Sequence, residues 1–503
     1  MATTILLHPE DDVEIALADL RPGAVTASGV TLAEPVPRGH KIAVRAIPAG
    51  ARVRRYGQII GAATVDIAPG AHVHVQNLAM SDHAEDYAYA SEAHPLPPAV
   101  APRSFQGFRR ADGQAGTRNY IGVLTSVNCS GSVARFIAEA AEKTDWFARL
   151  RHVDGIVPIV HGSGCGMSGK DEGYETLFRT LQGYARNPNF AAILLVGLGC
   201  EVMQIPDLIG AARMRADGNF RYMTIQQTGG TRATVARGVT LLEEMAQAAE
   251  AARREPIPVS ELVVGMQCGG SDGYSGITAN PALGVASDLL VAHGGATILS
   301  ETSEVYGAEH LLTRRAVSRE VGEKLIARIR WWEDYTARNK GEMNNNPSPG
   351  NKRGGLTTIL EKSLGAVAKG GHAPMTDVLL YGEPLRRKGF VFMDSPGYDP
   401  CSVTGQVATG ANLIVFTTGR GSVSGYKPVP CIKIATNSEM YGRMEGDMDI
   451  NAGDVIAEGV SLEAKGREIF EAFIAVASGK RTKSEALGFG GAEFVPWQIG
   501  AVM

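Results

Sequence analysis

Residues 120–142 read YIGVLTSVNCSGSVARFIAEAAE, and this stretch decides the fold class. An apolar run of strand length leads through a short polar corner into a segment with helical periodicity. The same order recurs in GIVPIVHG before ETLFRTLQGYA, in AAILLVGLG before IPDLIGAARMR, and in YMTIQQ before a long helical stretch. Apolar strands that alternate with helices predict an α/β fold with mainly parallel sheets covered on both faces.

Changes in composition and in hydrophobic pattern divide the chain into four segments. Residues 1–84 hold short β-type runs between glycines and prolines, with VEIALADL as the one stretch of helical period, which predicts a small β domain. Residues 85–106 are rich in Ala and Pro and predict an extended linker. We expect α/β domains at 107–254 and 255–503, because ELVVGMQC starts the strand-and-helix pattern again. The insert GEMNNNPSPGNKRGGLTT is predicted to be an irregular loop, functional or disordered.

The composition excludes several classes of protein. The chain has 503 residues, of which 44% are hydrophobic and 20% are charged, as in globular proteins. A net charge of −4 argues against nucleic-acid and anionic-membrane partners. With no long apolar segment, no basic leader and only 6 cysteines, we expect neither a membrane span nor a signal peptide nor a disulfide scaffold. The few cysteines therefore predict a reducing, cytoplasmic compartment. We also expect a small-molecule ligand and a homo-oligomer, a dimer.

Four cysteines occupy the same kind of position, directly after an apolar run. They are Cys129, Cys165, Cys200 and Cys268, and Asn128 and Ser130 flank the first of them. Because parallel strands bring their carboxyl ends to one edge, we expect these loops to converge on a ligand. Thiolates bind iron and soft metals, whereas a small cysteine beside glycines can also simply pack.

Histidines provide two further candidates. In AHVHVQN, His72 and His74 are two residues apart and share one face of a strand, so both can reach one cation or a substrate; the alternative is a pair of surface histidines. In HGSGCGM, His161 lies near Cys165, a pair that fits a base and a nucleophile, while the glycines alternatively suit a phosphate-binding loop.

Polar residues at the other predicted strand ends fit a hydroxylated, anionic ligand. Glu301 follows a buried strand, where it is a base, a metal ligand or a helix-capping acid. Arg420 follows another strand, and its guanidinium can clamp a carboxylate. The remaining candidates, which follow strands or lie on the insert, are Ser271, Asp272, Asn280, Asn351, Lys352, Thr436 and Asn437.

Taken together, these segments resemble the altronate/galactarate dehydratase family of sugar-acid dehydratases over nearly the whole chain. PRGHKIA, YGQIIGAA and PGAHVHVQN resemble the small SAF-type β-clip domain that begins such enzymes. RADGQAGTRNYIGVLTSVNCS, HGSGCGM, LLVGLGCE, QCGGSDGYSGITANPALG, NPSPGNKRGGLTT, TTGRGS and KIATNS follow in the family's order. The same architecture also serves a sulfolactate-type lyase.

The resemblance implies dehydration of an aldonate or aldarate to a 2-keto-3-deoxy sugar acid with Fe²⁺ or Mn²⁺. A divalent cation on the carboxylate stabilises the enediolate that forms when a base removes the C2 proton. His161 is the first candidate for this base and Glu301 the second, with Cys165 and Asp272 as further catalytic candidates. The metal ligands are either His72 and His74 or the cysteines Cys129, Cys200 and Cys268, and three thiolates with an open iron would make an iron–sulfur centre. Sulfite elimination and non-catalytic sugar-acid binding are the alternative functions.

Overall fold

The computed structural model describes residues 3–81, 86–95, 100–210 and 219–502. Residues 3–81 form a β unit whose strands are β1 (Thr4–Ile5), β2 (Val13–Ala16), β3 (Lys41–Ala43), β4 (Arg52–Arg55), β5 (Gln58–Ala63), β6 (His72–Val73) and β7 (Leu78–Ala79). Strands β1-β2-β3-β6 and β4-β5-β7 make two small antiparallel sheets. The helical period of VEIALADL does not produce a helix. Its first residues form β2, which is buried between β1 and β3, so tertiary pairing outweighs the local pattern.

The middle unit is built around a four-stranded parallel sheet in the order β11-β10-β12-β13. Its elements are β8 (Ser104–Arg109), β9 (Ala115–Gly116), β10 (Tyr120–Thr125), α1 (Gly131–Glu142), α2 (Asp145–Ala148), β11 (Gly155–Ile159), α3 (Glu172–Arg186), β12 (Phe190–Gly197), α4 (Ile205–Gly210), β13 (Phe220–Thr224), α5 (Ile225–Thr228) and α6 (Thr231–Ala251). YMTIQQ is therefore only partly a strand. The side chain of Thr224 accepts a hydrogen bond from the Gln227 amide and starts α5, so IQQ is helical.

The C-terminal unit contains a seven-stranded parallel sheet in the order β17-β18-β16-β15-β19-β20-β21. Its elements are β14 (Glu255–Pro258), β15 (Val263–Cys268), α7 (Ala279–Ala292), β16 (Ala296–Ser300), α8 (His310–Thr313), α9 (Arg319–Arg338), α10 (Pro349–Arg353), α11 (Ile359–Val367), β17 (Met375–Leu379), β18 (Gly389–Met393), α12 (Asp399–Thr409), β19 (Leu413–Thr418), β20 (Cys431–Ala435), α13 (Ser438–Arg443), β21 (Ile450–Asn451), α14 (Asp454–Ala457), α15 (Leu462–Ala477) and α16 (Lys483–Ala486). The mixed α/β class with a large parallel sheet is thereby confirmed.

The predicted linker is ordered where the structure describes it. Strand β8 begins inside it at Ser104 and pairs with β14. Further upstream, the amides of Ala90 and Glu92 donate to the carbonyls of Thr313 and Arg314 at 2.9 Å each. Position 85 and positions 96–99 of the predicted linker lie outside the described residues. Backbone hydrogen bonds, which composition does not reveal, therefore attach the described part of the segment to the body of the protein.

The insert that was predicted to be irregular contains a short helix, α10. Ser348 and Asn351 form a reciprocal capping box at its start, and Pro349 occupies its first turn. These local bonds give residues 348–353 a defined conformation beside the sheet. Within the described part of the chain, no helix has the length and apolar character needed to cross a membrane.

Candidate active site

Three histidines of the β unit converge on one point. Strands β3 and β6 are antiparallel, with Lys41 opposite Val73 and Ile42 opposite His72. Extending this register by one residue puts His40 across from His74, on the face that His72 also shares. One ring nitrogen from each histidine lies within 4.8 Å of the other two.

The geometry of the three histidines fits a divalent metal. Nδ1 of His40 and Nε2 of His72 are 2.9 Å apart, and Nε2 of His40 faces the carbonyl oxygen of Arg353 at 3.2 Å. A metal-binding histidine commonly donates its second N–H to such a carbonyl. The buried Nδ1 of His74 has no hydrogen-bond partner among the described residues.

The electrostatics of this cluster also suit a metal. Burial, followed by the charges of His40 and Lys41, lowers the pKa of His72 to about 4. Burial, followed by Lys41 and His40, lowers the pKa of His74 to about 3. Burial likewise lowers the pKa of His40, although the Arg353 carbonyl opposes this effect. The imidazoles are therefore neutral at neutral pH, which is the form that coordinates a cation.

A buried ion triad attaches this edge of the β unit to α11. Nζ of Lys41 lies 2.9 Å from Oε2 of Glu361, and Nη1 of Arg55 contacts the other carboxylate oxygen. Burial alone would raise the pKa of Glu361, but Lys41 and Arg55 outweigh it and lower that pKa to about 2. Beside the triad, Gly355 has a φ of +100°, and a Cβ there would lie 2.2 Å from the Gly39 carbonyl oxygen, so no larger residue fits.

An arginine-lined cavity of about 90 Å³ lies beside the histidine cluster. Two of its lining residues contact the cluster: Gly39 precedes His40 in the chain, and the carbonyl oxygen of Arg353 faces His40. The other charged and amide groups around it are Arg38, Arg420, Arg443, Glu439, Asp272 and Asn437. A larger cavity of about 900 Å³ adjoins it, because Arg38, Tyr274, Asn437 and Glu439 line both. Guanidinium groups around a small polar cavity are suited to a carboxylate ligand.

Asp272 is the buried acid of this cavity. Its carboxylate accepts hydrogen bonds from Thr436 Oγ1 at 3.0 Å, Asn437 Nδ2 at 3.1 Å and Ser275 Oγ at 3.1 Å. Burial raises the pKa of Asp272, and these bonds offset part of the rise. The carboxylate also lies against the residue that follows β19, since a Cβ on Gly419 would lie 2.1 Å from Asp272 Cγ.

The topology explains why these groups meet. From β15 the chain continues to β16 on one side, whereas β19 lies on the other side of β15. A crevice opens beyond the carboxyl ends of the strands where the order of the sheet reverses in this way. Asp272 follows β15, Arg420 follows β19, and Thr436 and Asn437 follow β20, so all of them face this crevice.

Three family models match successive parts of the chain. The altronate/galactarate dehydratase SAF domain matches residues 2–81, the second domain of D-galactarate dehydratase/altronate hydrolase matches 107–250, and the D-galactarate/altronate dehydratase C-terminal domain matches 259–502. Altronate dehydratase of Bacillus subtilis is 37% identical over 97% of this chain and 98% of its own length. Galactarate dehydratase (L-threo-forming) of Escherichia coli is 38% identical over 95% of this chain and 93% of its own length.

The chain belongs to the altronate/galactarate dehydratase family. This membership confirms the resemblance inferred from the sequence motifs, and with it the assignment as a hydro-lyase that acts on sugar acids. The (2R)-sulfolactate sulfo-lyase subunit beta of Chromohalobacter salexigens is also similar, at 33% identity over 77% of this chain and 95% of that protein.

Two of the predicted substrate-binding residues, Asn351 and Asn280, form hydrogen bonds inside the protein and support the loops around the crevice. Nδ2 of Asn351 donates to the Ser271 carbonyl at 2.8 Å, which ties α10 to the loop that carries Asp272. Asn280 donates to the Gly365 carbonyl and accepts from Thr417, so its amide is used inside the protein. Lys352 lies half-buried on α10, next to Arg353.

His161 lies in the middle unit, away from the arginine-lined cavity. It is buried, its Nε2 faces the Thr125 carbonyl at 3.1 Å, and its Nδ1 accepts from the Ser163 amide at 3.2 Å. Burial lowers its pKa to about 4. With both ring nitrogens engaged, His161 positions its loop. Ser130 is similar, because its hydroxyl contacts the Val127 and Val196 carbonyls at 2.8 Å.

The four cysteines that follow apolar runs belong to two different sheets. Cys129, Cys165 and Cys200 are exposed on neighbouring loops of the middle unit, next to exposed Asn128. Cys165 lines a cavity of about 260 Å³ closed by the C-terminal residues 496–502. Cys268 is buried at the carboxyl end of β15, the central strand of the seven-stranded sheet, beside Glu301. Among the described residues, potential ligand atoms within 4.8 Å of one another form two sets, His40–His72–His74 and Cys268–Glu301–Glu304. The three exposed thiols form no such set.

The sequence predicts that His40, His72 and His74 face a shared cleft, because all three lie on short segments of the β unit, but it does not indicate Arg38 or Arg353. The sequence does not show that His40 lies opposite His74, because the register of such short strands cannot be read from their residues. Arg38 and Arg353 come from different units and meet only when the β unit docks on the 348–355 loop.

Proposed function

We propose that this enzyme dehydrates an altronate- or galactarate-type acid to the 2-keto-3-deoxy acid and that it requires Fe²⁺ or Mn²⁺. The observation that carries the proposal is the three-histidine cluster next to a cavity lined by arginines and Asp272. The names of the full-length relatives support the choice of substrate class. Six-carbon sugar acids carry a carboxylate and adjacent hydroxyl groups, and these match the guanidinium and amide groups of the crevice.

The residues around the cavity have different roles in the reaction. Arg38, Arg353 and Arg420 bind the carboxylate and fix the orientation of C2 and C3. Asp272, whose position Thr436 and Asn437 maintain, takes the proton from C2 as the C3–oxygen bond breaks. The protonated Asp272 then gives this proton to the departing hydroxide, which leaves as water. The resulting enol tautomerises to the ketone. His40, His72 and His74 would hold the divalent cation, which would supply a Lewis acid to stabilise negative charge on the substrate carboxylate.

The test is an anaerobic activity screen on full-length protein. The chelator-treated enzyme should be inactive, and Fe²⁺ or Mn²⁺ should restore formation of 2-keto-3-deoxy acid from a panel of aldonates and aldarates. His72→Ala and His74→Ala should each lower metal affinity by at least about tenfold, because losing a ligand costs no less than losing a residue that hydrogen-bonds to one. His8→Ala, which changes an exposed histidine of the same β unit, should leave the affinity unchanged. Asp272→Asn should lower kcat by about 10²–10⁴-fold with metal content unchanged.

Three results would contradict the proposal. Full turnover in metal-free protein would remove the role of the histidines. Sulfite release from sulfolactate, with no 2-keto-3-deoxy acid formed from any sugar acid of the panel, would favour the sulfo-lyase function, which a relative covering less of this chain supports. Tight binding of sugar acids with no turnover in the metal-loaded enzyme would indicate a binding protein.

A further inference from the structure

Three exposed thiols lie at one edge of the four-stranded sheet. Cys129, Cys165 and Cys200 follow β10, β11 and β12, which are neighbours in the order β11-β10-β12. Parallel strands bring their carboxyl ends to one edge, so the three loops leave the sheet side by side. Free cysteine is among the residues most often buried in proteins. A shared ligand therefore explains three exposed thiols at a single edge better than packing does.

Backbone hydrogen bonds join the three loops close to the thiols. The Asn128 amide donates to the Ser163 carbonyl at 2.8 Å, and the Met203 amide donates to the Gly164 carbonyl at 3.0 Å. The loop that carries Cys165 is thus bonded to the loop on each side of it. These bonds fix the separation of the loops and hold the three thiols near one another.

The spacing of the thiols fits a metal cluster better than a single ion. The ligands of one ion lie close together, and among the described residues these three sulfurs form no group within 4.8 Å of one another. In an iron–sulfur cluster, each thiolate binds a different iron and sulfides bridge the irons, so the thiolates lie farther apart. All three cysteines are also free thiols, as cluster ligands must be.

The surroundings of the thiols suit a negatively charged thiolate cluster. Nε2 of Gln226 donates to Cys200 Sγ at 3.4 Å, and hydrogen bonds to sulfur stabilise such clusters. Cys129 lies two residues before α1, a helix of 12 residues whose N-terminal end favours negative charge. Gly164 and Gly166, on either side of the second thiol, have φ of +94° and +67°. Turns of this kind can direct backbone amides at an anion.

We propose that Cys129, Cys165 and Cys200 bind a [4Fe–4S] cluster, in a site separate from the three histidines. Two Fe²⁺, two Fe³⁺ and four sulfide ions assemble on the three thiolates with no further oxidant or reductant. Three irons each take one thiolate, and the fourth keeps an open position for an oxygen ligand such as water or a carboxylate. The thiol set expected from the sequence is thereby changed, because Cys268 belongs to the other sheet.

Anaerobic reconstitution of the full-length protein provides the test. Metal-stripped protein is incubated with Fe²⁺, Fe³⁺ and sulfide and passed through a gel-filtration column, and its iron, sulfide and visible absorption are measured. We expect about four sulfides per chain and the broad absorption of the cluster. Ferricyanide should take one electron and release the iron that lacks a thiolate as Fe²⁺. The product is a three-iron cluster, which electron paramagnetic resonance identifies.

Alanine variants identify the ligands. Cys129→Ala, Cys165→Ala and Cys200→Ala should each reduce the bound sulfide by at least about tenfold. Because the three side chains are exposed, we expect these variants to fold, and thermal unfolding checks this. The cluster should also protect the same three thiols from alkylation, whereas they stay accessible in the metal-stripped protein.

Two control variants separate this site from the others. Cys268→Ser, which changes a thiol of the other sheet, should keep the sulfide and the absorption. His72→Ala should lower only the iron bound outside the cluster and leave the sulfide unchanged, so the failure of either metal site is visible without the other. The proposal is overturned if folded wild-type protein retains no sulfide, if any of the three alanine variants retains as much as the wild type, or if the spectrum is that of a two-iron cluster.

Discussion

Glu361 shows how one residue connects two units of the protein. It comes from α11, and its carboxylate is fully buried against two cations, Lys41 and Arg55, of the β unit. Lys41 also donates to the Gly355 carbonyl at 2.7 Å, and Arg55 donates to the Gly273 carbonyl at 2.7 Å. The acid therefore holds in place the loops that surround the histidine cluster and Asp272.

We expect Glu361→Ala to reduce the free energy of unfolding by about 3–5 kcal/mol, because it leaves two buried cations unpaired. Urea denaturation measures the change. The matched control is Glu323→Ala, which breaks the exposed Arg319–Glu323 pair and should cost no more than about 1 kcal/mol. Equal losses in the two variants would mean that the triad contributes no more than a surface pair.

The same acid gives the stability a defined pH dependence. Its folded-state pKa of about 2 lies below the ordinary 4.5, so its contribution is complete above pH 4.5 and disappears as the pH falls towards 2. The acid-side loss of stability should therefore be shallower in Glu361→Gln than in the wild type.

At the scale of elements, the ends of three neighbouring strands build the crevice. Asp272 follows β15, Gly419 follows β19 and Thr436 follows β20, and direct contacts join the three residues. The carboxyl ends of these parallel strands lie side by side, so a small displacement of one loop moves the acid relative to the substrate. Gly419 tolerates a larger side chain least, because its backbone lies against the carboxylate of Asp272.

We expect Gly419→Ala to lower kcat at least tenfold, since its Cβ would lie 2.1 Å from Asp272 Cγ and must displace the carboxylate. Steady-state kinetics on the metal-loaded enzyme measure the effect. Gly442→Ala on α13 is the control, because a Cβ there has nothing within 4 Å. Wild-type kinetics in Gly419→Ala would exclude Asp272 in its present position as the base.

At the scale of the whole molecule, the six cysteines report on how the units are packed. Cys129, Cys165 and Cys200 are exposed, whereas Cys268, Cys401 and Cys431 are buried. Burial raises the pKa of Cys401 to about 12, and it also raises the pKa of Cys431. Only thiolates react with disulfide reagents, so burial and a raised pKa slow the reaction together.

We expect a thiol-specific reagent to label three cysteines of the native, metal-stripped protein rapidly and all six after unfolding. Peptide mapping by mass spectrometry identifies which ones react. Cys165→Ser should remove one rapid equivalent, and Cys431→Ser should leave the rapid phase unchanged. Six equal, slow reactions in the native protein would contradict the arrangement of the middle unit.

Much of the architecture was predictable because it depends on local pattern. YIGVLTSV, AAILLVGLG and NLIVFTTG are apolar over nearly their whole length, and such runs form strands buried on both faces whatever surrounds them. The strand-end residues Asp272, Arg420, Thr436 and Asn437 were predictable for the same reason, since parallel strands place their carboxyl ends at a common edge.

The sequence by itself thus determined the α/β class, the family and the strand-end residues, because short-range periodicity and motif order carry that information. Only the tertiary structure decided that ring nitrogens of His40, His72 and His74 lie within 4.8 Å of one another, that Arg38 meets Arg353, and that Cys268 lies with Glu301 and Glu304. These contacts join residues far apart in the chain, through strand register and the docking of the β unit. The physical reason is that register and docking follow from the shape and charge of whole surfaces, which no single segment of sequence specifies.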